Sequence, residues 1–469
     1  MRQGTGGGGI VLLKRWPVGL ALLAIGLGCA FLPPWSGPGD MRIPVGGYLA
    51  SALLVVAATI LLGLLFRPIA GLLGKRAGAM RKYAASQLGR PRGRHRLTAA
   101  GLAVAIGMSA AMGILVSSFE NTLTGWIGQL LKADVYVSAV GSDSVAGQGT
   151  LSPGVWREIE AMPEVEGTDR LRRYSVTIRG KDFFLGGADY NDDPDRYLQL
   201  IWLDPPENQG PDSLETMIER GGREFHPGWI SESLSRRFAI GTGDEIALPT
   251  PKGHRRVEVA GVFAEYGNES GTLIVARDFT REWFDDERLS NLAIYARPEA
   301  DAEALVERIQ ERFPALSART NARLREESIR IFHQTFAVTY ALEVIAVLIA
   351  VAGLGLALAG LLLERRTELA TLKSVGATRR EIASATAWEG VGLGLVGYLA
   401  GLVLSFFLGW ILIFVINVQS FGWTLSYRIP WFGFLLLAAA TVVTAGCVAG
   451  VVGYRKAELR SDRGGGEKS

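Results

Sequence analysis

The chain has 469 residues, of which 48% are hydrophobic and 20% are charged, and its mean hydropathy is +0.22. A chain of this length is longer than a domain with a single hydrophobic core, and the apolar content is typical of a membrane protein with a sizeable water-facing domain. The formal net charge of +3 comes from basic residues that are divided between loops, so the sequence gives no support to a nucleic-acid partner.

Six apolar segments are long enough to be considered as membrane-spanning helices. The fifth is longer than a bilayer requires, and we expect it to tilt or to project beyond the bilayer. Within the first, Lys14 and Arg15 precede a short apolar run, so a cleaved signal peptide ending near Ala30 is an alternative to a retained span. The segments are roughly Val11 to Leu32, Val45 to Phe66, Leu97 to Ser118, Thr339 to Leu363, Ser384 to Ile416 and Trp431 to Tyr454.

The distribution of basic residues predicts the orientation of these spans. The connection from Arg67 to Arg96 contains nine basic residues and no acid, whereas the connections Pro33 to Arg42 and Asn417 to Pro430 carry one basic residue each. Cytoplasmic loops are enriched in Lys and Arg, so the first connection is expected in the cytoplasm. Both termini then lie inside, and the segment from Phe119 to about Thr335 lies outside.

Two stalk helices are predicted at the ends of the outer segment. The third span continues beyond Phe119 with apolar residues at helical spacing, including Leu123 and Trp126, and a second stalk, Asn321 to Gln334, enters the fourth span. We expect the two stalks to pack on each other. On the cytoplasmic side, Arg81 to Arg96 fits either an interfacial helix anchored by anionic lipid or a plain basic loop.

Between the stalks the pattern predicts a mixed domain of strands and helices. The resulting fold class is an α-helical integral membrane protein of about six spans with a large mixed α+β extracytoplasmic domain on two stalk helices. Strands are expected at Ala133 to Val140, Gly167 to Asp189 (turning at Gly180), Glu245 to Leu248, Arg256 to Val262, Thr272 to Val275 and Leu292 to Ala296, and helices at Pro153 to Met162 and Asp301 to Phe313.

A few residues within the apolar segments are polar or very small. Glu343 and Glu389 each stand about one turn inside a span, where a buried acid is costly and often functional; a solvated or locally paired structural role is the alternative. Gly390 with Gly394, and Gly397 with Gly401, place small residues on nearby faces of the fifth helix, which favours close helix packing.

The charged segment from Leu363 to Ile382, LERRTELATLKSVGATRREI, separates the fourth and fifth spans. Read as a helix, it has a narrow apolar edge and a charged face. Gly376 is expected to end this helix, and Thr378 to cap the next one, beginning around Arg379. We name Leu363 to Ile382 the coupling hook.

No motif for catalysis, cofactor binding or metal binding occurs in the sequence. There is no Gly-rich phosphate loop ending in Lys-Ser/Thr, no H-E-x-x-H helix and no G-x-S-x-G turn. Cys29 and Cys447 lie in apolar segments, which excludes a disulfide within the outer domain. The histidines, His95, His226, His254 and His333, are scattered. We therefore predict a non-enzymatic protein without a cofactor.

The coupling hook, E-R-R-x-E-L-A-x-L-K-S-V-G-A-T-R-R-E-I, resembles the cytoplasmic coupling segment of FtsX-like permeases, the membrane subunits of type VII ABC transporters of the MacB, LolC/LolE and YbbP types. The outer segment resembles the periplasmic domain of the MacB and LolC group, most clearly from Ile230 to Leu234 through Gly241 to Ile246, followed by Val257 to Val262. The resemblance implies contacts with a separate ATPase through Glu364, Arg365, Arg366, Glu368, Leu369, Leu372, Lys373, Gly376, Ala377, Arg379 and Arg380.

The resemblance implies a permease subunit in a bacterial inner membrane, which couples ATP hydrolysis by a partner ATPase dimer to export or extraction of a lipid, lipoprotein or hydrophobic substrate. The alternative is a sensor or mechanotransmission subunit that signals or drives a periplasmic partner without transport. Membrane lipids, a periplasmic protein and a second FtsX-like unit, separate or identical, are further expected partners. That second unit is expected to pack against the Gly-rich helix faces.

The resemblance also divides the chain into four expected parts. Residues 1–74 hold two N-terminal spans like the linker helices of ten-span YbbP-type permeases, and residues 75–118 hold the membrane-surface helix and the third span. Residues 119–335 form the stalks and the outer domain, and residues 336–469 form three spans with the coupling helix at 363–382. The chain is therefore expected to correspond to the second half of a larger permease.

Overall fold

The computed structural model of the protein describes residues 16–37, 42–75, 78–91, 93–140, 149–189, 200–206, 212–220, 223–266, 268–364, 371, 374 and 376–458. Its long helices contain long apolar runs and no internal proline, and two of its short helices begin at a residue whose side chain caps them. Ser231 and Asp301 each accept a backbone N–H of the helix that follows.

The helices, in chain order, are α1 (Trp16–Cys29), α2 (Val45–Leu61), α3 (Phe66–Gly74), α4 (Ala79–Gly89), α5 (Gly93–Leu130), α6 (Pro153–Glu160), α7 (Asp212–Glu215), α8 (Glu232–Phe238), α9 (Arg277–Phe284), α10 (Ala302–Arg312), α11 (Asn321–Glu364), α12 (Arg379–Ile411), α13 (Val418–Phe421) and α14 (Trp431–Glu458). A 3-10 turn, Leu62–Leu64, joins α2 to α3, and a π-helical segment, Leu412–Asn417, joins α12 to α13.

Four helical segments of the described chain are long and apolar enough to cross a membrane: Val45–Gly74, His95–Leu130, Arg379–Phe421 and Trp431–Tyr454. They contain the second, third, fifth and sixth predicted spans. The first prediction corresponds to the shorter apolar helix α1, and the fourth lies within α11, a continuous helix of 44 residues. The number of spans and the side on which the termini lie stay predictions.

The basic segment before the third predicted span, from Arg81 to Arg96, differs in part from each of the two forms predicted for it. The segment is helical, so the predicted plain loop is wrong. It is not one helix either, because α4 ends at Gly89 and α5 begins at Gly93. Pro91 separates them, because proline lacks the N–H that a continuing helix requires. Ala84, Ala85 and Leu88 are buried against the protein, so the apolar face of α4 is not presented to lipid.

The outer domain is built on an 11-stranded mixed sheet. Its strands are β3 (Val135–Ala139), β4 (Val165–Ile178), β5 (Lys181–Asp189), β6 (Trp202–Asp204), β7 (Ile218–Arg220), β8 (Arg223–Ser231), β9 (Glu245–Thr250), β10 (Gly253–Phe263), β11 (Thr272–Ala276), β12 (Asn291–Ala296) and β13 (Leu316–Thr320), after a small β1 (Trp35–Ser36) and β2 (Arg42–Ile43) pair in the first connection. The order of the strands in the sheet is β13-β3-β12-β4-β5-β11-β8-β10-β6, with β7 beside β8 and β9 beside β10. The β5–β11 and β8–β10 pairs are parallel, and the other described pairs are antiparallel.

Three apolar cores support this sheet. The first lies under α6 and α10 and contains Val135, Ile159 and Leu292. The second contains Leu185, Val257 and Trp283, and the third contains Trp229, Phe263 and Ile274. Each predicted strand and helix of the outer domain is confirmed within a few residues, including the turn at Gly180, whose φ is +74°. The alternation of apolar and polar residues therefore identified these strands, whereas β6, β7 and β13 were not predicted.

The two stalks are confirmed, and they pack on each other. Phe119 of α5 stacks on Phe332 of α11 with ring centroids 5.6 Å apart, and it lies 5.5 Å from the Phe336 ring. Farther out, the Asn321 side-chain amide donates hydrogen bonds to the carbonyls of Leu131 and Ala133 at 2.9 and 3.0 Å. The outer domain is thus joined to two long helices at a fixed point.

Candidate coupling site

The turn that closes the coupling hook has the predicted geometry. Gly376 has φ of +100°, a conformation that residues with a Cβ rarely adopt. Thr378 caps α12: its Oγ1 accepts from the Glu381 N–H at 3.3 Å, and its own N–H donates to Glu381 Oε2 at 2.8 Å. This reciprocal capping box satisfies two backbone donors and fixes where α12 begins.

The predicted ATPase-contacting residues are only partly covered by the structure. Glu364 closes α11, Ala377 and Arg379 are half-buried, and Gly376 and Arg380 are exposed. Of the apolar edge predicted for the hook, Ile382 is described and is buried. The remaining predicted positions lie outside the described residues: Arg365, Arg366, Glu368, Leu369, Leu372 and Lys373.

The N-terminal part of α12 contacts α4 and α5 through polar side chains. The Arg81 guanidinium of α4 lies 4.3 Å from the centroid of the Trp388 ring. Glu389 Oε1 is 2.7 Å from His95 Nε2 at the beginning of α5, and both side chains are almost fully buried. The local pairing considered for Glu389 is therefore confirmed. Its partner was missed, because 294 residues separate the two positions.

The four glycines of α12 that were predicted to pack, Gly390, Gly394, Gly397 and Gly401, lie at close helix contacts. A Cβ on Gly390 would stand 2.4 Å from the Ala445 carbonyl oxygen of α14, and one on Gly394 would stand 3.0 Å from the Ala445 Cβ. On the other side, a Cβ on Gly397 would approach Leu102 to 2.6 Å and one on Gly401 would approach the Ala103 carbonyl oxygen to 2.8 Å. These faces are filled by the chain's own helices, so the expectation that they pack against a second unit is wrong.

A second junction lies on the outer side and was not predicted. The connection from Gly422 to Pro430, which we name the outer loop, lies between α5 and the outer domain. The buried Glu232 carboxylate of α8 accepts from the Thr424 N–H at 3.0 Å and from its hydroxyl at 3.3 Å, and it also accepts from Arg236 at 2.8 Å. Gly422, with φ of +83°, lets the loop approach Ser233.

The outer loop is also bonded to the stalk. The Arg428 N–H donates to Ser118 Oγ at 2.9 Å, and the Ser426 N–H donates to Thr122 Oγ1 at 2.9 Å. Aromatic rings complete the contact: Tyr266 of the outer domain lies edge-on to Trp126 at 5.8 Å and to Trp423 at 6.4 Å. The loop therefore contacts α5 and the outer domain together. The aromatic and hydroxyl residues of the outer loop were the sequence signal from which this contact could have been predicted.

Two further features border this junction. Arg42 of β2 donates to the Arg237 carbonyl at 3.3 Å, which links the first connection to the end of α8. Glu265, beside Tyr266, accepts from the Thr272 hydroxyl at 2.9 Å, and burial raises the pKa of its carboxyl to about 7. Among the described residues, no group of three or more His, Cys, Asp or Glu side chains could hold a metal ion.

The fold and these two junctions define a membrane protein whose outer domain is attached to membrane-spanning helices. The family model for the FtsX-like permease C-terminal domain matches residues 340–457, and the model for the MacB-like periplasmic core domain matches residues 97–312. The chain belongs to the FtsX/MacB-type family of ABC transporter permeases, whose members are generally non-catalytic and work with an ATPase.

One curated relative is an uncharacterized ABC transporter permease protein of Mycobacterium tuberculosis. It is 28% identical over 386 residues, which cover 80% of this chain and 43% of the relative, so the chain spans less than half of the relative's length. Two solved structures align at low scores. The extracellular domain of the noncanonic ABC-type transporter YknZ from Gram-positive bacteria is 15% identical, and the alignment covers 40% of this chain and 98% of that one with a TM-score of 0.27. The periplasmic region of MacB from Actinobacillus actinomycetemcomitans is 11% identical, and the alignment covers 44% of this chain and 95% of that one with a TM-score of 0.31.

Proposed function

We propose that this protein is the membrane subunit of an ABC transporter in a bacterial inner membrane, and that it passes force from a separate ATPase dimer to its outer domain. The coupling hook receives the ATPase, and movement of the outer domain exports or extracts a lipid, lipoprotein or other hydrophobic substrate. The observation that carries this proposal is that α5 and α11 run without interruption from the apolar segments into the outer domain.

Several contacts support transmission along this route. The capping box fixes the beginning of α12, and the glycine contacts hold α12 against α5 and α14. On the outer side, the loop after α13 bonds both to α5 and to α8. The bonds from Ser426 and Thr424 are partly buried, and breaking such a bond is unfavourable because a buried partner left unsatisfied costs about 1–3 kcal/mol. A shift of α12 is therefore expected to move the outer domain.

The proposed complex contains two such units, because each ATPase of a dimer requires one hook. The second unit, identical or separately encoded, would use a surface other than the glycine faces of α12. Helix α11 offers one, with Val344, Ile345, Leu348 and Ile349 exposed on its apolar segment. Membrane lipids cover such residues where no protein does, and a periplasmic protein is a further proposed partner of the outer domain.

The test is reconstitution of the chain with an ABC ATPase that binds it, in vesicles that contain a fluorescent lipid or lipoprotein. We expect the permease to stimulate ATP hydrolysis and the labelled molecule to leave the vesicle only with ATP. Stimulated hydrolysis without release would favour the mechanotransmission alternative, and the absence of any stimulation would contradict the proposal. A vesicle with an ATPase variant that cannot hydrolyse ATP is the control.

A further inference from the structure

The contact between α5 and α12 has a constant register along its length. Leu102 lies against Gly397, Ile106 against Gly401 and Ile114 against Gly409, and each pair is 295 positions apart. The two helices therefore run parallel, both from the cytoplasmic side outward. Contacts between glycines and aliphatic side chains let helix backbones come close, but they have no directional bond that distinguishes one register from the next.

The His95–Glu389 hydrogen bond differs from the rest of this contact. It lies at the cytoplasmic end of the same interface and has nearly the same offset, 294 positions. The ring Nε2 and the carboxylate Oε1 are 2.7 Å apart, with side-chain exposures of 0% and 5%. A buried polar pair of this kind adds little net stability, but its loss is costly, and its best-attested role is to fix the register of packed helices.

The position of the pair connects it to both ends of the molecule. Glu389 lies three turns after the capping box, and His95 lies in the first turn of α5. Helix α5 has 38 residues, a length of about 57 Å at 1.5 Å per residue, and leads to the first strand of the outer domain. An ionisable residue buried within an apolar span is also, by default, a candidate functional group.

We propose that His95 and Glu389 are positioning residues that hold α5 and α12 in one register, so that a displacement of α12 at the coupling hook carries α5 with it. The hydrogen bond resists sliding along the glycine contacts. The functional half of this inference rests on the proposed force transmission, whereas the register itself is a property of the chain alone.

Disulfide trapping measures the register directly. A Cβ on Gly409 would lie 3.3 Å from the Ile114 Cβ, close to the spacing within a disulfide, so I114C/G409C reports the observed register. The pair I114C/S405C reports a shift of one turn. Cys29 and Cys447 are replaced by Ala, and the full chain is oxidised in membranes without any ATPase. We expect the matched pair to cross-link at least about tenfold faster than the shifted pair.

The pair is then altered in this background. With H95L/E389L, the ratio of the two rates is expected to fall below about threefold, and with the reversed pair H95E/E389H it is expected to return toward the original value. T386V, which removes a buried hydroxyl bonded to the carbonyls of its own helix, is the matched control and should leave the ratio unchanged.

An unchanged ratio in H95L/E389L would overturn the inference. If that double variant does not fold, E389M is compared with E389Q instead. The amide of E389Q can still bond to the His95 ring and should keep the ratio of the two rates, whereas the thioether of E389M cannot replace this bond and should lower the ratio. Equal ratios in the two variants would overturn the inference. Because no ATPase is present, a failed register test leaves the proposed function standing. A fixed register with no stimulation of the ATPase would instead count against the proposed function.

Discussion

Replacement of Glu232 tests how firmly the outer loop holds the outer domain. The carboxylate is buried and accepts two hydrogen bonds from Thr424 and two from Arg236. Hydrogen bonds to a charged group contribute about 1.5–3 kcal/mol each when buried, and the bonds from Arg236, whose side chain is 43% exposed, are discounted for solvent screening. Glu232→Ala should therefore raise the free energy of the attached state by about 3 kcal/mol relative to the detached one.

The expected consequence is local. Loss of about 3 kcal/mol corresponds to an increase of about two orders of magnitude in the opening of the outer loop, since 1.4 kcal/mol is a factor of ten. Glu232→Gln keeps one acceptor without the charge and should cost about 1 kcal/mol, which is roughly a fivefold increase. Hydrogen exchange of the backbone amides of residues 422–430, followed by mass spectrometry on the full chain in nanodiscs, measures both.

Glu245→Ala is the matched control. Glu245 lies in the same part of the outer domain and pairs with Arg256 at 3.4 Å, but both side chains are about half exposed, so its loss should change the exchange by less than about twofold. If Glu232→Ala left the exchange of residues 422–430 as slow as in the unaltered chain, the argument that this carboxylate attaches the outer domain would be refuted.

Three further predictions concern the hook, the topology and the outer domain. Gly376→Trp, which strains a position with φ of +100°, or the double change R379E/R380E, should abolish stimulation of the partner ATPase without preventing membrane insertion; full stimulation by either variant would contradict the coupling role. Single cysteines at Ser213 and Glu299 should react with an impermeant reagent from outside the cell and those at Ser86 and Ser374 should not, and reaction of all four from one side would refute the topology. Burial raises the pKa of Glu265 to about 7, so the folded domain binds the proton of this carboxyl more tightly than the unfolded chain does. The free energy of unfolding should therefore fall by up to about 3 kcal/mol as the pH rises from 4.5 through 7. Glu265→Gln should remove that part of the pH dependence of the denaturation midpoint, and an unchanged dependence would show that Glu265 is not its source.

Features that depend on neighbouring residues were predicted well from the sequence. Gly376 and Thr378 form a helix end and a helix cap through chemistry contained within six residues, and strands such as β3 and β9 alternate more buried and more exposed side chains with a period of two. Pro91 was an available signal that was not used, and for that reason the helix break before α5 was missed. Local rules thus located most elements.

Features that depend on long-range packing could not be predicted. The bond between His95 and Glu389 joins positions 294 residues apart, and nothing near either residue indicates the other. The glycines of α12 were correctly expected at close helix contacts, yet the sequence could not tell that α5 and α14 occupy them. The role of the outer loop likewise depends on Glu232, a residue of a separate domain.

The most direct test of force transmission is a distance measurement between the outer domain and the membrane helices during ATP turnover. Spin labels at Glu299, exposed on the outer domain, and at Tyr454, exposed near the C-terminal end of α14, report this distance in the complex with the partner ATPase. Addition of ATP should shift the distance distribution in the unaltered chain and leave it unshifted in Gly376→Trp. ATP hydrolysis at an undiminished rate with no shift in the unaltered chain would contradict the account.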